Sequence, residues 1–324
     1  MDILRTLLLV PGNRQRMLER APRAGADAIV VDLEDAVPKA EKRTARALVR
    51  ALLPKLAACG HPVFVRVNNV HSGLARDDVM AVVRPGLSGV VHPKTDAPQD
   101  LRDLDVLLRE AEMKYKIRPG DIRTIPLIES PIAVLRCEEI ACASDRDIGL
   151  SLGGEDYTAA LGVARDASGA ALTHARNVLV TVASAYGLPA IDTPYVSIKD
   201  ERGLVAEAKV AQSLGFKGKY VIHPDQVAPV NAVFAPTKDD VEYARRVVAA
   251  AADAAKRRRG SVALDGKMID APIVALASRL IALAERIAER EQPPAVPART
   301  RARLHDAEAR PHRPGFAGFC DRAP

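Results

Sequence analysis

Short apolar runs rich in Val, Ile and Leu recur along the chain at residues 4–10, 28–33, 63–67, 89–92, 124–128, 148–152, 190–191 and 219–222. Runs this short, apolar on both faces, predict strands buried on both sides, as in a parallel sheet. The segments between them have a different period. Residues 14–24 and 40–58 carry charged faces with Leu and Ala three to four apart, the mark of an amphipathic helix, and residues 100–113, 131–143, 174–186 and 204–214 read the same way. Gly25, Gly187 and Gly215 follow helical runs, where a left-handed C-cap is expected. Eight such units in about 230 residues match the size and rhythm of a (β/α)8 TIM barrel. A doubly wound open sheet shows the same alternation, but its two halves usually total six strands, so the count favours the barrel.

The pattern changes after the eighth run. Residues 239–258 form a long Ala-rich helical segment, residues 260–272 read as a loop holding GKMIDAP, and residues 273–290 are helical again. From Pro293 onward the chain is rich in Pro and Arg without periodicity and reads as disordered. The expected organisation is a barrel over 1–235, C-terminal helices with a lid over 236–292, and a tail over 293–324.

Composition narrows the function. Only 3% of residues are aromatic and Trp is absent, so Ala, Val, Leu and Ile must build the core. The net charge of +6 is concentrated at the end: six arginines against Asp306, Glu308 and Asp321 put +3 in the tail and leave +3 for everything before it. The basic run Lys256-Arg257-Arg258-Arg259 sits where cations complement a helix C-terminus. Basic charge without interleaved aromatics argues against nucleic-acid binding. Cys59, Cys137, Cys142 and Cys320 match no zinc or redox spacing. The apolar stretch at 7–10 stops at Pro11-Gly12, too short for a signal peptide, and no run reaches membrane-spanning length. The expectation is a soluble, cytoplasmic protein with no membrane partner.

Barrel active sites lie at the carboxyl ends of the strands. Here those ends carry Asp32, Glu34 and Asp35; Arg66, Asn68 and Asn69; His92 and Lys94; Glu129; Glu155 and Asp156; Asp192; and His223. Carboxylates crowded together need a cation or a substrate to neutralise them. Without His or Cys beside them they point to Mg²⁺, which takes one or two carboxylates plus waters and substrate oxygens. Glu129 and Asp156 each follow an apolar run and are the best metal candidates; the alternative for either is a helix cap or first-turn residue, a place Glu155 could equally fill. Arg66, inside VFVRV, suits bidentate binding of a carboxylate or oxyanion. Its alternative is an ion pair with a neighbouring strand's acid, such as Glu34. Lys94 reads equally as a substrate contact or a lysine at a helix start. His223 reads as structural, and no glycine-rich phosphate loop is present.

These rim motifs resemble the citrate lyase β-subunit group of CoA-ester lyases, near citramalyl-CoA and malyl-CoA lyases. The resemblance runs over residues 4–285 and rests on LLLVPGN at 7–13, VVDLEDAV at 30–37, RVNNVHSGL at 66–74, HPK at 92–94, IES at 128–130, GGEDYTAALG at 153–162, AIDTPY at 190–195, GFKGKYVIHPDQ at 215–226 and GKMIDAP at 266–272. It implies Mg²⁺ held by Glu129 and Asp156, Arg66 at the substrate's carboxylate or enolate oxygen, and Glu34 supporting the metal's water shell. It also implies that Asp270 reaches a neighbouring subunit's site for proton transfer, in a homotrimer or a multiple of one. His92 and Pro131 depart from the common pattern without removing a catalytic group, and the basic tail has no family counterpart.

The implied reaction splits a 3-hydroxyacyl-CoA into a keto acid and a thioester enolate, with developing charge stabilised by Arg66 and the ion and the acetyl-carbon proton moved by a carboxylate. A metal-dependent pyruvate aldolase without CoA and a β subunit acting only inside a larger citrate lyase complex are the competing readings. Asp270 has a bland alternative as well, the N-cap of the helix starting near Pro272.

Overall fold

A computed structural model describes residues 3–166, 168–257 and 259–291, and in it all eight apolar runs close into one parallel barrel. The strands are β1 (Thr6–Pro11), β2 (Ala28–Asp32), β3 (Val63–Arg66), β4 (Gly89–His92), β5 (Arg123–Ile128), β6 (Leu150–Leu152), β7 (Ala190–Asp192) and β8 (Gly218–Val221). They pair in chain order, and β8 returns to β1.

Two residue sets with a period of two explain why the strands are apolar throughout. Leu7, Ala28, Val30, Phe64, Val91, Ile125, Leu127, Ile191 and Tyr220 fill the barrel interior. Their neighbours Leu8, Ile29, Val31, Val63, Val65, Val90, Leu150 and Val221 face the surrounding helices in the larger core. Continuing the inward parity up three strands predicts the rim: Asp32 follows Ala28 and Val30, Arg66 follows Phe64, and Glu129 follows Ile125 and Leu127.

The outer layer comprises α1 (Gln15–Arg20), α2 (Lys42–Ala57), α3 (Ala75–Val82), α4 (Pro98–Lys114), α5 (Pro131–Leu135), α6 (Cys137–Ala141), α7 (Gly154–Ala160), α8 (Thr173–Ala185), α9 (Glu201–Leu214) and α10 (Val227–Phe234). Gly25, Gly187 and Gly215 all have the expected positive φ. The segment read as one helix over 131–143 divides at Arg136, whose ψ of 15° leaves the helical range. Helices α3, α7 and α10 have eight, seven and eight residues, too few for a periodic signal to stand out.

Beyond the barrel, α11 (Lys238–Lys256) opens on a capping box: Thr237 Oγ1 accepts from the Asp240 amide and Asp240 Oδ2 from the Thr237 amide, each at 3.1 Å. The segment expected to be a loop instead holds an antiparallel hairpin, β9 (Val262–Leu264) and β10 (Lys267–Ile269). Its turn is Asp265-Gly266 with φ of 51° and 75°, the doubly left-handed geometry of a type I′ two-residue hairpin turn. The hairpin packs with α11 and α12 (Ala271–Glu291) through Ala244, Val247, Ile269 and Ala277, a small core separate from that of the barrel. The described residues up to Ile287 form one compact unit. The expected disordered tail at 293–324 lies outside the described residues. Among the described residues no helix is long and apolar enough to cross a membrane.

Candidate active site at the carboxyl-terminal rim

Asp32 and Arg66 are register partners on β2 and β3. Arg66 Nε donates to Asp32 Oδ1 at 2.8 Å and Nη2 to Oδ2 at 2.6 Å, while Nη1 lies 3.3 Å from Glu34 Oε2. The ion pair left open in the sequence is therefore present, with Asp32 as principal partner. Burial works against the guanidinium charge, but Asp32, Glu34 and Glu129 outweigh it and raise the pKa. Asp32 also accepts from the Glu34 amide at 2.8 Å and the Ala36 amide at 3.0 Å, so one carboxylate fixes both the arginine and the turn presenting Glu34. Lys42 secures that turn from behind, its ammonium on the Leu33 and Glu34 carbonyls and Asn68 Oδ1.

Lys94 follows β4 in a left-handed backbone conformation, φ 49°, rare for a side chain of this size. Three contacts hold it there. Its amide donates to Glu129 Oε1 at 2.6 Å, its carbonyl accepts from Asn69 Nδ2 at 2.8 Å, and its ammonium pairs with Glu34 and, at 3.1 Å, with Asp35. His92 stands behind it. The ring accepts the Val70 amide at Nε2 and so carries its proton on Nδ1, towards Thr95 Oγ1 at 2.8 Å. Burial pushes His92 down to about 4, so it is a neutral structural residue. His223 receives the Asp225 amide at the start of a 3-10 turn and is structural as read.

Glu129 is 3% exposed. Burial, with the Asp156 charge next in importance, pushes its carboxyl up to about 8. Oε1 is taken by the Lys94 amide; among the described residues nothing donates to Oε2. Residue 153 has to be glycine, because a Cβ there would lie 2.2 Å from Glu129 Oε2. Asp156, in the first turn of α7, is half-buried and its carboxylate meets no donor among the described residues. The free oxygen of Glu129 and the carboxylate of Asp156 are hard oxygen donors of the kind that would suit a divalent cation such as Mg²⁺ together with waters and substrate oxygens. Among the described residues no group of three or more His, Cys, Asp or Glu forms a fuller cage.

The rim thus brings together Glu34, Arg66, Lys94, Glu129 and Asp156. Asp270 stands apart within this chain: it sits between β10 and α12, where its Oδ1 accepts the Ile273 amide at 3.3 Å. Asp32 was placed at the rim from sequence but given no role; the register of β2 on β3 makes it the partner of Arg66. Lys42 was missed, hidden in a helix already full of cations.

The chain matches the family described as HpcH/HpaI aldolase/citrate lyase over residues 5–224. It is 37% identical over 280 residues to citrate lyase subunit beta of Leuconostoc mesenteroides subsp. cremoris, covering 86% of this chain and 93% of the relative. It is 31% identical over 297 residues to the mitochondrial citramalyl-CoA lyase of Mus musculus, covering 88% and 87%. Among solved structures, CitE from Mycobacterium tuberculosis in complex with magnesium, acetoacetate and coenzyme A aligns with a TM-score of 0.70 and 30% identity, over 87% of this chain and 98% of that one.

Proposed function

The chain belongs to the HpcH/HpaI aldolase/citrate lyase family, and from that membership and the rim geometry we propose that it is a Mg²⁺-dependent carbon–carbon lyase that cleaves a 3-hydroxyacyl-CoA of the citramalyl, malyl or citryl class. The observation carrying this reading is Glu129, with one oxygen free, beside the unpartnered carboxylate of Asp156 and under the charge of a guanidinium fixed by Asp32. The ion supplies Lewis-acid stabilisation for the hydroxy acid's oxygens when held between those carboxylates. Arg66 binds the substrate's carboxylate or the oxygen on which charge develops; its donors are oriented beforehand, so little reorganisation opposes the reaction. Lys94 adds positive charge at the same mouth, and Glu34, held between Arg66 and Lys94, orients water at the rim. As the bond between C2 and C3 breaks, the hydroxyl proton passes to the water that Glu34 orients and a keto acid forms; the thioester enolate is then protonated at carbon to give the acetyl-CoA-type product. Asp270 of a neighbouring subunit in a cytoplasmic homotrimer moves that last proton. Met268 and Leu276, 66% and 65% exposed on either side of Asp270, give this segment an apolar surface for such a neighbour.

The test is incubation with Mg²⁺ and citramalyl-CoA, malyl-CoA or citryl-CoA, read for free keto acid. Release from at least one thioester is expected; cleavage of the CoA-free hydroxy acid instead would mark a pyruvate aldolase. The greater identity to subunit beta than to the mouse lyase favours one second reading, a citryl thioester cleaved only beside partner subunits. Activity that appears only when those subunits are added would establish it.

Metal binding is expected to depend on pH with a defined sign. Glu129 must ionise to bind the cation, so below pH 8 binding expels a proton. Apparent Mg²⁺ affinity should rise about tenfold from pH 6 to pH 7 and level off above pH 8. In the metal-free protein the raised pKa means that the folded state holds more protons than the unfolded one between about 4.5 and 8. Stability therefore falls as pH rises through that window. Calorimetry in buffers of different ionisation enthalpy should find close to one proton released at pH 6.5 and none at pH 9; no release at pH 6.5 would contradict the assignment.

A further inference from the structure

Three successive residues of the turn entering α7 are tied down, and the fourth is left free. The Gly153 amide donates to the Ile128 carbonyl at 3.0 Å, and the Gly154 amide to Thr193 Oγ1 at 2.9 Å. Glu155 Oε1 accepts from Arg165 Nη1 at 2.7 Å. Asp156 follows with its carboxylate unpartnered among the described residues.

Arg165 is the centre of this arrangement. Its side chain is only 8% exposed, and Nη1 also reaches the Pro194 carbonyl at 2.8 Å while Nη2 grips both oxygens of Glu207 at 2.7 and 2.6 Å. Glu207 meets Lys219 at 2.5 Å, Lys219 meets Asp192 at 2.6 Å, and Arg176 closes on Asp192 through two bonds of 2.9 and 3.0 Å. Three cations and three anions therefore alternate from the exposed edge of α7 to the fully buried ends of β7 and β8. Stability is a poor account of such a network, because well-packed apolar replacements of buried ion pairs are often neutral or stabilising. What bidentate, mutually locked pairs do supply is fixed direction.

We propose that Arg165, with Thr193, is a positioning residue of the divalent-cation site: it anchors the first turn of α7 to the β7–β8 wall so that Asp156 is held ready opposite Glu129. The inference rests on the metal-ligand reading of Asp156. Neither residue touches the ion; each acts through the backbone that carries its ligand.

The experiment is Mg²⁺ titration by calorimetry on the full-length protein, with the melting temperature of the metal-free protein recorded beside it. Arg165→Met and Thr193→Val should each weaken Mg²⁺ affinity by about 10- to 100-fold, the range of outer-shell substitutions, and Thr193→Ser should restore it. In an Asp156→Asn background, where the ligand is already gone, Arg165→Met should add no further loss. Parental affinity in folded Arg165→Met and Thr193→Val, with Asp156→Asn deficient, overturns the positioning role alone. Parental affinity in Asp156→Asn overturns the ligand assignment and this inference with it. Should Arg165→Met fail to fold, Thr193→Val against Thr193→Ser decides, since Val keeps the volume of Thr without Oγ and Ser keeps Oγ without the methyl.

Discussion

Glu129→Gln should lower kcat/KM by at least about 10³-fold, the equivalent of some 4 kcal/mol of lost stabilisation from the ion, while making the metal-free protein more stable above pH 8. Both signs follow from one substitution. Glutamine keeps the shape, and its Oε1 can still accept the Lys94 amide, so the turn after β4 should survive. The second oxygen becomes an NH2 group that cannot ligate a cation, and metal affinity falls. Repulsion with Asp156 vanishes with the charge, and the burial cost that pushes Glu129 up to about 8 is removed. Melting curves at pH 6 and pH 9 without metal, together with steady-state rates at saturating Mg²⁺, check the pair. A variant that is inactive and also less stable at pH 9 would mean that Glu129 holds the fold rather than an ion.

Asp270→Asn is expected to reduce kcat by about 10²- to 10⁴-fold, the span attributed to a positioned general acid or base, with melting temperature and Mg²⁺ affinity unchanged. The structure makes this substitution discriminating. Asp270 accepts the Ile273 amide at the start of α12, a capping contact that asparagine serves equally well. If capping were its whole role, turnover would be near normal. Mixed oligomers add a second readout. Glu129→Gln and Asp270→Asn subunits are each inactive alone, but random assembly of equal amounts should build intact shared sites at about a quarter of positions, given a closed ring of head-to-tail contacts. Subunit exchange demonstrated with two different tags, yet without recovered activity, would exclude sharing.

The barrel was legible because its strands must be apolar on both faces, and that requirement leaves a dense signal. Even the three-residue β7 was detectable from Ala190 and Ile191. Short helices were not, since α3 and α7 span about two turns and present no repeat to detect. The hairpin over 262–269 was readable in principle: Asp265-Gly266 lies between two short apolar stretches, which is the strongest local hairpin signal. It was passed over because each arm is three residues long. At the rim, strand-end position identified Glu129, Arg66 and Lys94. It could not reveal that Asp32 rather than Glu34 is the chief partner of Arg66, which depends on register across two strands. Nor could it reveal the ties on α7, whose partners Thr193, Arg165 and Glu207 are scattered over more than forty residues.

The left-handed backbone at Lys94 also limits how this site can diversify. Glycine, asparagine and aspartate visit that region at little cost, whereas β-branched residues do not. An exchange at 94 is therefore filtered first by conformation and only then by charge. Lys94→Gly or Lys94→Asn would still aim an amide at Glu129 while surrendering the ammonium, but Lys94→Ile or Lys94→Val would pull that amide away from the carboxylate. Among descendants of this sequence, loss of the cation at 94 is reachable in one step with the carboxylate still oriented, and a β-branched apolar side chain at the same place is not.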